Sequence, residues 1–218
     1  MTTLFFDLDG TLLDTQRGIA ESIRVALAEL GQGEISDQQL QRCFGPPLRV
    51  SFAWLLNTQD KALIADAVAI FRQHYLHTGI YNYQVYSGVR ELLEQLIRSQ
   101  GGGEVTLHVL TAKPQHQAEW LLEHADLTHF FKTVHGSEDS GIRSDKSTHL
   151  TSILTDDTFY GRTSWVIGDR ASDIQAAKAN GSLSVAVHWG YGDHQELVGA
   201  GSDFHIASPQ DLLPLLDV

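Results

Sequence analysis

Residues 4–14 read Leu-Phe-Phe-Asp-Leu-Asp-Gly-Thr-Leu-Leu-Asp, and this stretch decides the fold. A continuous apolar run from Thr3 to Phe6 has the character of a strand covered on both sheet faces and ends at Asp7 and Asp9, with Gly10-Thr11 breaking it. Two like charges at the end of a buried strand repel and are costly to desolvate, so their placement calls for a chemical reason. From Thr15 to Asn82 the pattern is helical throughout. Ile19, Ile23, Ala26, Leu27 and Leu30 share one face, Gly31 offers a stop, Ser36-Asp37 suggests a cap, and Gly45-Pro46-Pro47 is a break before a further apolar face and a longer helix over 62–75. This block reads as a small helical bundle inserted after the first strand.

Beyond residues 81–89, YNYQVYSGV, strands and helices alternate. Strands are expected at 105–110, 131–134, 164–167, 184–187 and, weakly, 204–206. Helices are expected at 89–97, 115–123, 146–154, 174–179 and a last one ending near Leu216, with Gly101-Gly102-Gly103 as a turn. The predicted fold is α/β: a doubly wound, Rossmann-like parallel sheet with right-handed crossovers. Its core comprises 1–14 and 83–218, and the helical insert is 15–82.

Ligands of such sheets bind outside the carboxyl ends of the strands. Asp7 and Asp9 follow the first strand, Thr111 and Lys113 follow Leu-His-Val-Leu, and Asp169 and Asp173 follow Trp-Val-Ile-Gly. Four carboxylates are thus expected to converge. At an effective dielectric near 20, two unit charges about 4 Å apart repel by about 4 kcal/mol, and a divalent cation resolves that conflict. Magnesium, a hard ion with a preference for oxygen, fits, and no Cys/His set has zinc spacing.

These residues resemble the motifs of the haloacid dehalogenase superfamily of hydrolases. DLDGTLLD (7–14) is similar to the first motif, Thr111 in VLTAKP to the second, Lys146 in GIRSDK to the third, and GDRASD (168–173) to the fourth. The resemblance implies Asp7 as the nucleophile that forms an aspartyl-phosphate, and Asp9 as the acid that protonates the leaving oxygen and then activates water. Thr111 and Lys146 would hold the transferring phosphoryl oxygens. Mg2+ would be bound by Asp7, the Asp9 carbonyl and Asp169, with Asp173 ligating it directly or through water. Gly10 would let the backbone approach phosphate. The family's dehalogenases lack the second aspartate, so Asp9 argues for phosphoryl transfer.

The insert resembles the mobile helical cap of the phosphoglycolate phosphatase-like and beta-phosphoglucomutase-like members. Within it FGPPLRVSF (44–52) is similar to a substrate-specificity loop, making Arg49 a candidate contact for an anionic substrate group. Beta-phosphoglucomutases carry a cap histidine where this chain has Ile19, which favours a hydrolase over a mutase. The expected activity is a magnesium-dependent phosphatase for a small phosphorylated metabolite. Phosphoglycolate leads, and pyrophosphate and nucleoside monophosphates are alternatives. A receiver-like phospho-acceptor module and an inactive binding scaffold are the rivals from other classes.

Several residues have plainer readings. Thr111 could cap the helix after it, Asp169 could cap the helix near Ala171, and Lys113, a candidate substrate contact, is more often structural. Arg143 reads as an exposed loop charge, His74 and His77 as a surface pair, and the four tryptophans as core bulk. The formal net charge of −12 disfavours nucleic acid and anionic membranes as partners. A single cysteine, Cys43, excludes an internal disulfide and suits a cytoplasmic setting, and no apolar stretch is long enough to span a bilayer. A monomer or homodimer is expected.

Overall fold

The structure, a computed structural model, describes residues 2–98, 105–138 and 142–216; the Gly101-Gly102-Gly103 turn lies outside them. The chain divides into two compact units, Met1–Leu13 with Val85–Val218, and Asp14–Gln84.

The first unit holds a six-stranded sheet. Its strands are β1 (Thr2–Phe6), β4 (Val105–Pro114), β5 (Thr133–Ser137), β6 (Thr163–Gly168), β7 (Leu183–Val187) and β8 (Phe204–Ile206), in the order β5-β4-β1-β6-β7-β8. Every pairing is parallel. The sheet order reverses at β1, which lies between β4 and β6. Phe6 pairs with Val109 on one side and with Ile167 on the other. One step further, Asp7, Leu110 and Gly168 lie at a common level, where β1 and β6 end and β4 runs on to Pro114.

Helices α5 (Val89–Arg98), α6 (Gln115–His124), α7 (Lys146–Leu154), α8 (Ala171–Ala179) and α9 (His194–Ala200) complete this unit. Phe5, Leu110 and Val166 from the sheet pack with Leu150 and Ile153 of α7 and with Ala176 and Ala177 of α8. Each fully buried Leu or Phe contributes about 1.5–3 kcal/mol relative to exposure. The helix starting at Lys146 is as expected. Four elements differ from expectation. β4 continues to Pro114 through a register irregularity after Leu110. β5 lies further along the chain than 131–134, because Phe131 closes the 3-10 turn Thr128–Phe130. α9 had no expected counterpart. The last element, Pro209–Leu216, is a 3-10 helix containing Pro214, which lacks the N–H an α-helix interior needs.

A cluster of imidazoles sits on this core. His108, 2 % exposed, shares Thr133 Oγ1 with His135; each ring nitrogen lies 2.6 Å from that hydroxyl. Burial, helped by His135, Lys132 and Arg162, pushes the His108 pKa down to about 4. A histidine that folding makes harder to protonate stabilises fully above its unfolded value of 6.5 and loses that contribution as pH falls toward 4. The expected result is that wild type loses about 3 kcal/mol relative to His108→Leu between pH 7 and pH 4. Urea unfolding of both proteins at several pH values measures this.

The second unit contains α1 (Gln16–Glu29), α2 (Asp37–Gln41), α3 (Leu48–Leu55), α4 (Lys61–His77) and the 3-10 turn Gly79–Tyr81. Ser36 caps α2, its hydroxyl accepting from the Gln39 amide while Gln39 Oε1 accepts from the Ser36 amide. α1 packs on α4, and Phe71 stacks on Tyr75 and meets Phe52 edge-on. Cys43 is buried, just past the end of α2. Trp54 is not core bulk: it is 43 % exposed, with the Arg42 guanidinium 5.5 Å from its ring centroid. The chain passes between the units at β2 (Leu13–Asp14) and β3 (Gln84–Val85), which pair as a two-stranded sheet. No described helix is long and apolar enough to cross a membrane.

Candidate active site

Asp7 stands one residue past β1, its amide donating to Ile167 O at 2.9 Å. Asp169 follows β6, and Asp173 lies in the first turn of α8, where its Oδ2 accepts from the Arg170 amide at 3.0 Å. One carboxylate oxygen from each of Asp7, Asp169 and Asp173 lies within 4.8 Å of the others, and all three residues are buried. Lys146, the first residue of α7 and itself buried, places Nζ 2.7 Å from Asp7 Oδ2 and 2.6 Å from Asp173 Oδ1. Asp9 is not part of the three-carboxylate group. Its Oδ2 is paired with Lys113 Nζ at 2.8 Å.

Burial drives the electrostatics. It pushes the Asp7 carboxyl up to about 6; Lys146 pulls it down, and Asp173 and Asp9 add to the rise. Asp169 is pushed up to about 8, by burial first and then by the charges of Asp7 and Asp173. For Lys146 burial would favour loss of the proton, but the carboxylates of Asp173 and Asp7 outweigh it and hold the ammonium charged well above the ordinary lysine range. With Asp7, Asp9, Asp169 and Asp173 ionised, Lys113 and Lys146 leave two negative charges uncompensated. A buried, all-oxygen donor set with that surplus is suited to a hard divalent cation.

Residues 4–187 match the family of haloacid dehalogenase-like hydrolases. The chain belongs to that family. Among its relatives, a 5'-nucleotidase of Pseudomonas aeruginosa is 36 % identical over 194 residues, covering 89 % of this chain and 86 % of the relative. A phosphoglycolate phosphatase of Aliivibrio fischeri is 32 % identical over 193 residues, covering 85 % and 83 %. A solved structure of a haloacid dehalogenase-like hydrolase from Streptococcus pneumoniae superimposes with a TM-score of 0.89 at 29 % identity, covering 99 % of this chain and 98 % of that one. The six-stranded parallel sheet with its inserted helical region is the architecture of this family.

Two features of this haloacid dehalogenase-like site escape a reading of the sequence alone. Thr11 Oγ1 donates to Asp169 Oδ1 at 3.1 Å. The loop after β7, residues 188–192, supplies the rest: the Tyr191 amide donates to Asp169 Oδ2 at 2.8 Å and Trp189 Nε1 donates to Thr11 O at 3.0 Å. Both Asp169 oxygens are thus fixed. The loop could have been found by applying the strand-end rule to Leu-Ser-Val-Ala-Val as well, since His-Trp-Gly-Tyr-Gly follows it directly.

Gly10 has φ +88°, and a Cβ there would stand 2.6 Å from Asp169 Cγ and 2.8 Å from Oδ1. Gly10→Ala therefore combines strained backbone with displacement of a carboxylate. The expected outcome is a loss of about 1–3 kcal/mol in unfolding free energy, accompanied by weaker divalent-ion binding; denaturant titration and calorimetry measure the two.

Neither plain capping role holds. Pro114, not Thr111, occupies the N-cap of α6, and Thr111 Oγ1 instead accepts from the Lys113 amide at 3.2 Å. Arg170, not Asp169, is the N-cap of α8. Thr111 is buried within β4, which runs on to Pro114, and not at the strand end as expected. Arg143 pairs with Glu138 at 2.9 Å on the surface. Arg49 is an exposed residue of α3 in the second unit, lining a shallow groove with Val50, Trp54 and Asn57.

Proposed function

We propose that the chain is a magnesium-dependent phosphatase that hydrolyses a small phosphomonoester through an aspartyl-phosphate on Asp7. The observation that carries this reading is the buried ion-paired group of Asp7, Asp169, Asp173 and Lys146 at the ends of β1 and β6. Asp7 attacks phosphorus as the bond to the leaving oxygen breaks, and Asp9 gives that oxygen a proton. Asp9 then takes a proton from a water that attacks the phosphorus, releasing inorganic phosphate and Asp7. Asp9 Oδ2 is paired with Lys113 Nζ at 2.8 Å, and that contact loosens when Asp9 turns to the leaving oxygen.

Lys146 and Thr111 hold phosphoryl oxygens, and Gly10 allows their close approach. Mg2+ would be held by Asp7, Asp169 and the carbonyl of Asp9, with Asp173 bound directly or through water. When bound, it supplies neutralisation of the charge that builds on the transferring group.

Two substrate classes have support. Phosphoglycolate follows from the resemblance of residues 44–52 and from relatives that carry that name; a nucleoside 5'-monophosphate is supported by the more similar Pseudomonas relative. A panel of phosphoglycolate, nucleoside monophosphates, pyrophosphate and sugar phosphates, assayed with Mg2+, decides between them. One of the two classes is expected to exceed the rest of the panel by at least tenfold in kcat/KM. If phosphoglycolate is the substrate, Arg49→Ala should raise its KM about tenfold while p-nitrophenyl phosphate is unaffected. Hydrolysis of none of these esters, or equal rates with and without the metal, overturns the assignment.

A further inference from the structure

Helix α8 begins without a cap of the usual kind. Its N-cap is Arg170, which has no side-chain oxygen to accept from the first helical amides. An acceptor reaches it from α9 instead. Glu196 Oε1 accepts from the Ala171 amide at 2.8 Å and from Arg170 Nε at 2.9 Å. A carboxylate in that place also faces the positive end of the α8 dipole. The turn so held carries Asp169 on one side and Asp173 on the other.

Glu196 is itself fixed. Its amide donates to Asp193 Oδ1 at 2.7 Å, and Leu197 beside it is buried with Ile174 of α8 and Ala186 of β7. Glu196 and Arg170 are both half-buried. The family match ends at Val187, so α9 stands beyond it. The Asp169 side chain is held by Thr11 and Tyr191, and that of Asp173 by Lys146 and the Arg170 amide. None of those contacts involves Ala171, where the chain runs from one carboxylate toward the other.

We infer that Glu196 is a positioning residue for metal binding: it sets the course of the chain between Asp169 and Asp173, and with it the spacing at which these two carboxylates meet Asp7. The inference rests on the reading of those three residues as the magnesium site. Partners that orient metal ligands from behind are typically worth about 10–100-fold in metal affinity. The effect depends on an oxygen at the reach of a glutamate, not on the negative charge itself. Glutamine keeps that oxygen and loses the charge. Aspartate keeps the charge and ends one methylene short of both donors.

The test is calorimetric titration of the metal-free full chain with MgCl2. Affinity should fall at least about tenfold in Glu196→Ala and in Glu196→Asp, and stay within about threefold of wild type in Glu196→Gln. With p-nitrophenyl phosphate, the Mg2+ concentration for half-maximal rate should rise in Glu196→Ala by more than kcat at saturating Mg2+ falls. Glu196→Asp carries the test even if Glu196→Ala folds poorly. Wild-type affinity in Glu196→Asp, or a loss in Glu196→Gln as large as in Glu196→Ala, would overturn the inference and leave the carboxylate site standing. No Mg2+ binding by the wild type would overturn the site, and this inference with it.

Discussion

Asp7→Asn is expected to abolish turnover of p-nitrophenyl phosphate, lowering kcat by at least about 10^4-fold, while the protein stays folded. An amide oxygen is a poor nucleophile and cannot form a stable acyl phosphate. The replacement is nearly isosteric: the Leu8 amide keeps an acceptor in place of Asp7 Oδ1, now at 2.7 Å, and Lys146 keeps Asp173. The sign of the stability change separates this from simple damage. Folding raises the Asp7 pKa from 3.8 to about 6, so at pH 7–8 its ionised carboxylate costs folding free energy. Metal-free Asp7→Asn should therefore unfold at the same urea concentration as wild type or a higher one. Turnover within tenfold of wild type would remove Asp7 from the nucleophile's role.

The second large effect is that of metal on stability and its dependence on pH. Asp169 is pushed from 3.8 to about 8 in the folded chain. Between those values the unfolded chain binds fewer protons than the folded one, so without metal this group's contribution declines as pH rises. Over pH 6.5–8.5 the decline amounts to about 2 kcal/mol, or a Tm lower by about 4–8 °C. This interval also avoids most of the His108 effect, which has the opposite sign and acts between 6.5 and 4. Millimolar Mg2+ should cancel the decline, raising Tm more at pH 8.5 than at 6.5. Asp169→Asn should flatten the metal-free profile. Chelation should stop turnover and added Mg2+ restore it. A metal-free Tm that climbs with pH across this interval would contradict the placement of an uncompensated carboxylate here.

Much of the architecture could be read from residue patterns, for definable reasons. Apolar runs such as Leu4–Phe6 and Val166–Ile167 are covered on both faces, and such runs say where a parallel strand ends. The strand ends in turn point to Asp7 and Asp169, which the structure brings together with Asp173. α9 was not legible because Gly190, Gly192 and Gly201 flank, and Gly199 interrupts, a seven-residue helix with one buried anchor, Leu197. Its cap, Asp193, signals a start only to a reader already expecting a helix. Asp9, apart from the other three carboxylates, pairs with Lys113, which lies in the irregular part of β4 after Leu110, a stretch the apolar pattern ends before. The strand-end rule locates the 188–192 loop, but its hydrogen bonds, and that of Thr11 to Asp169, join segments distant in sequence, and no local pattern encodes such pairings.

The short ribbon of β2 and β3 bears on how this architecture can vary. Because the chain departs at Leu13–Asp14 and returns beside it at Gln84–Val85, the whole helical excursion presents to the sheet two stems already side by side. Such a junction imposes almost no requirement on what is spliced into it, since closure entropy grows only slowly with length. A graft of foreign helices, or a tight turn in their place, leaves the register of Phe6 with Val109 and Ile167 untouched. The inserted segment can then diverge in one part of the gene while the grouped carboxylates Asp7, Asp169 and Asp173 are encoded in others.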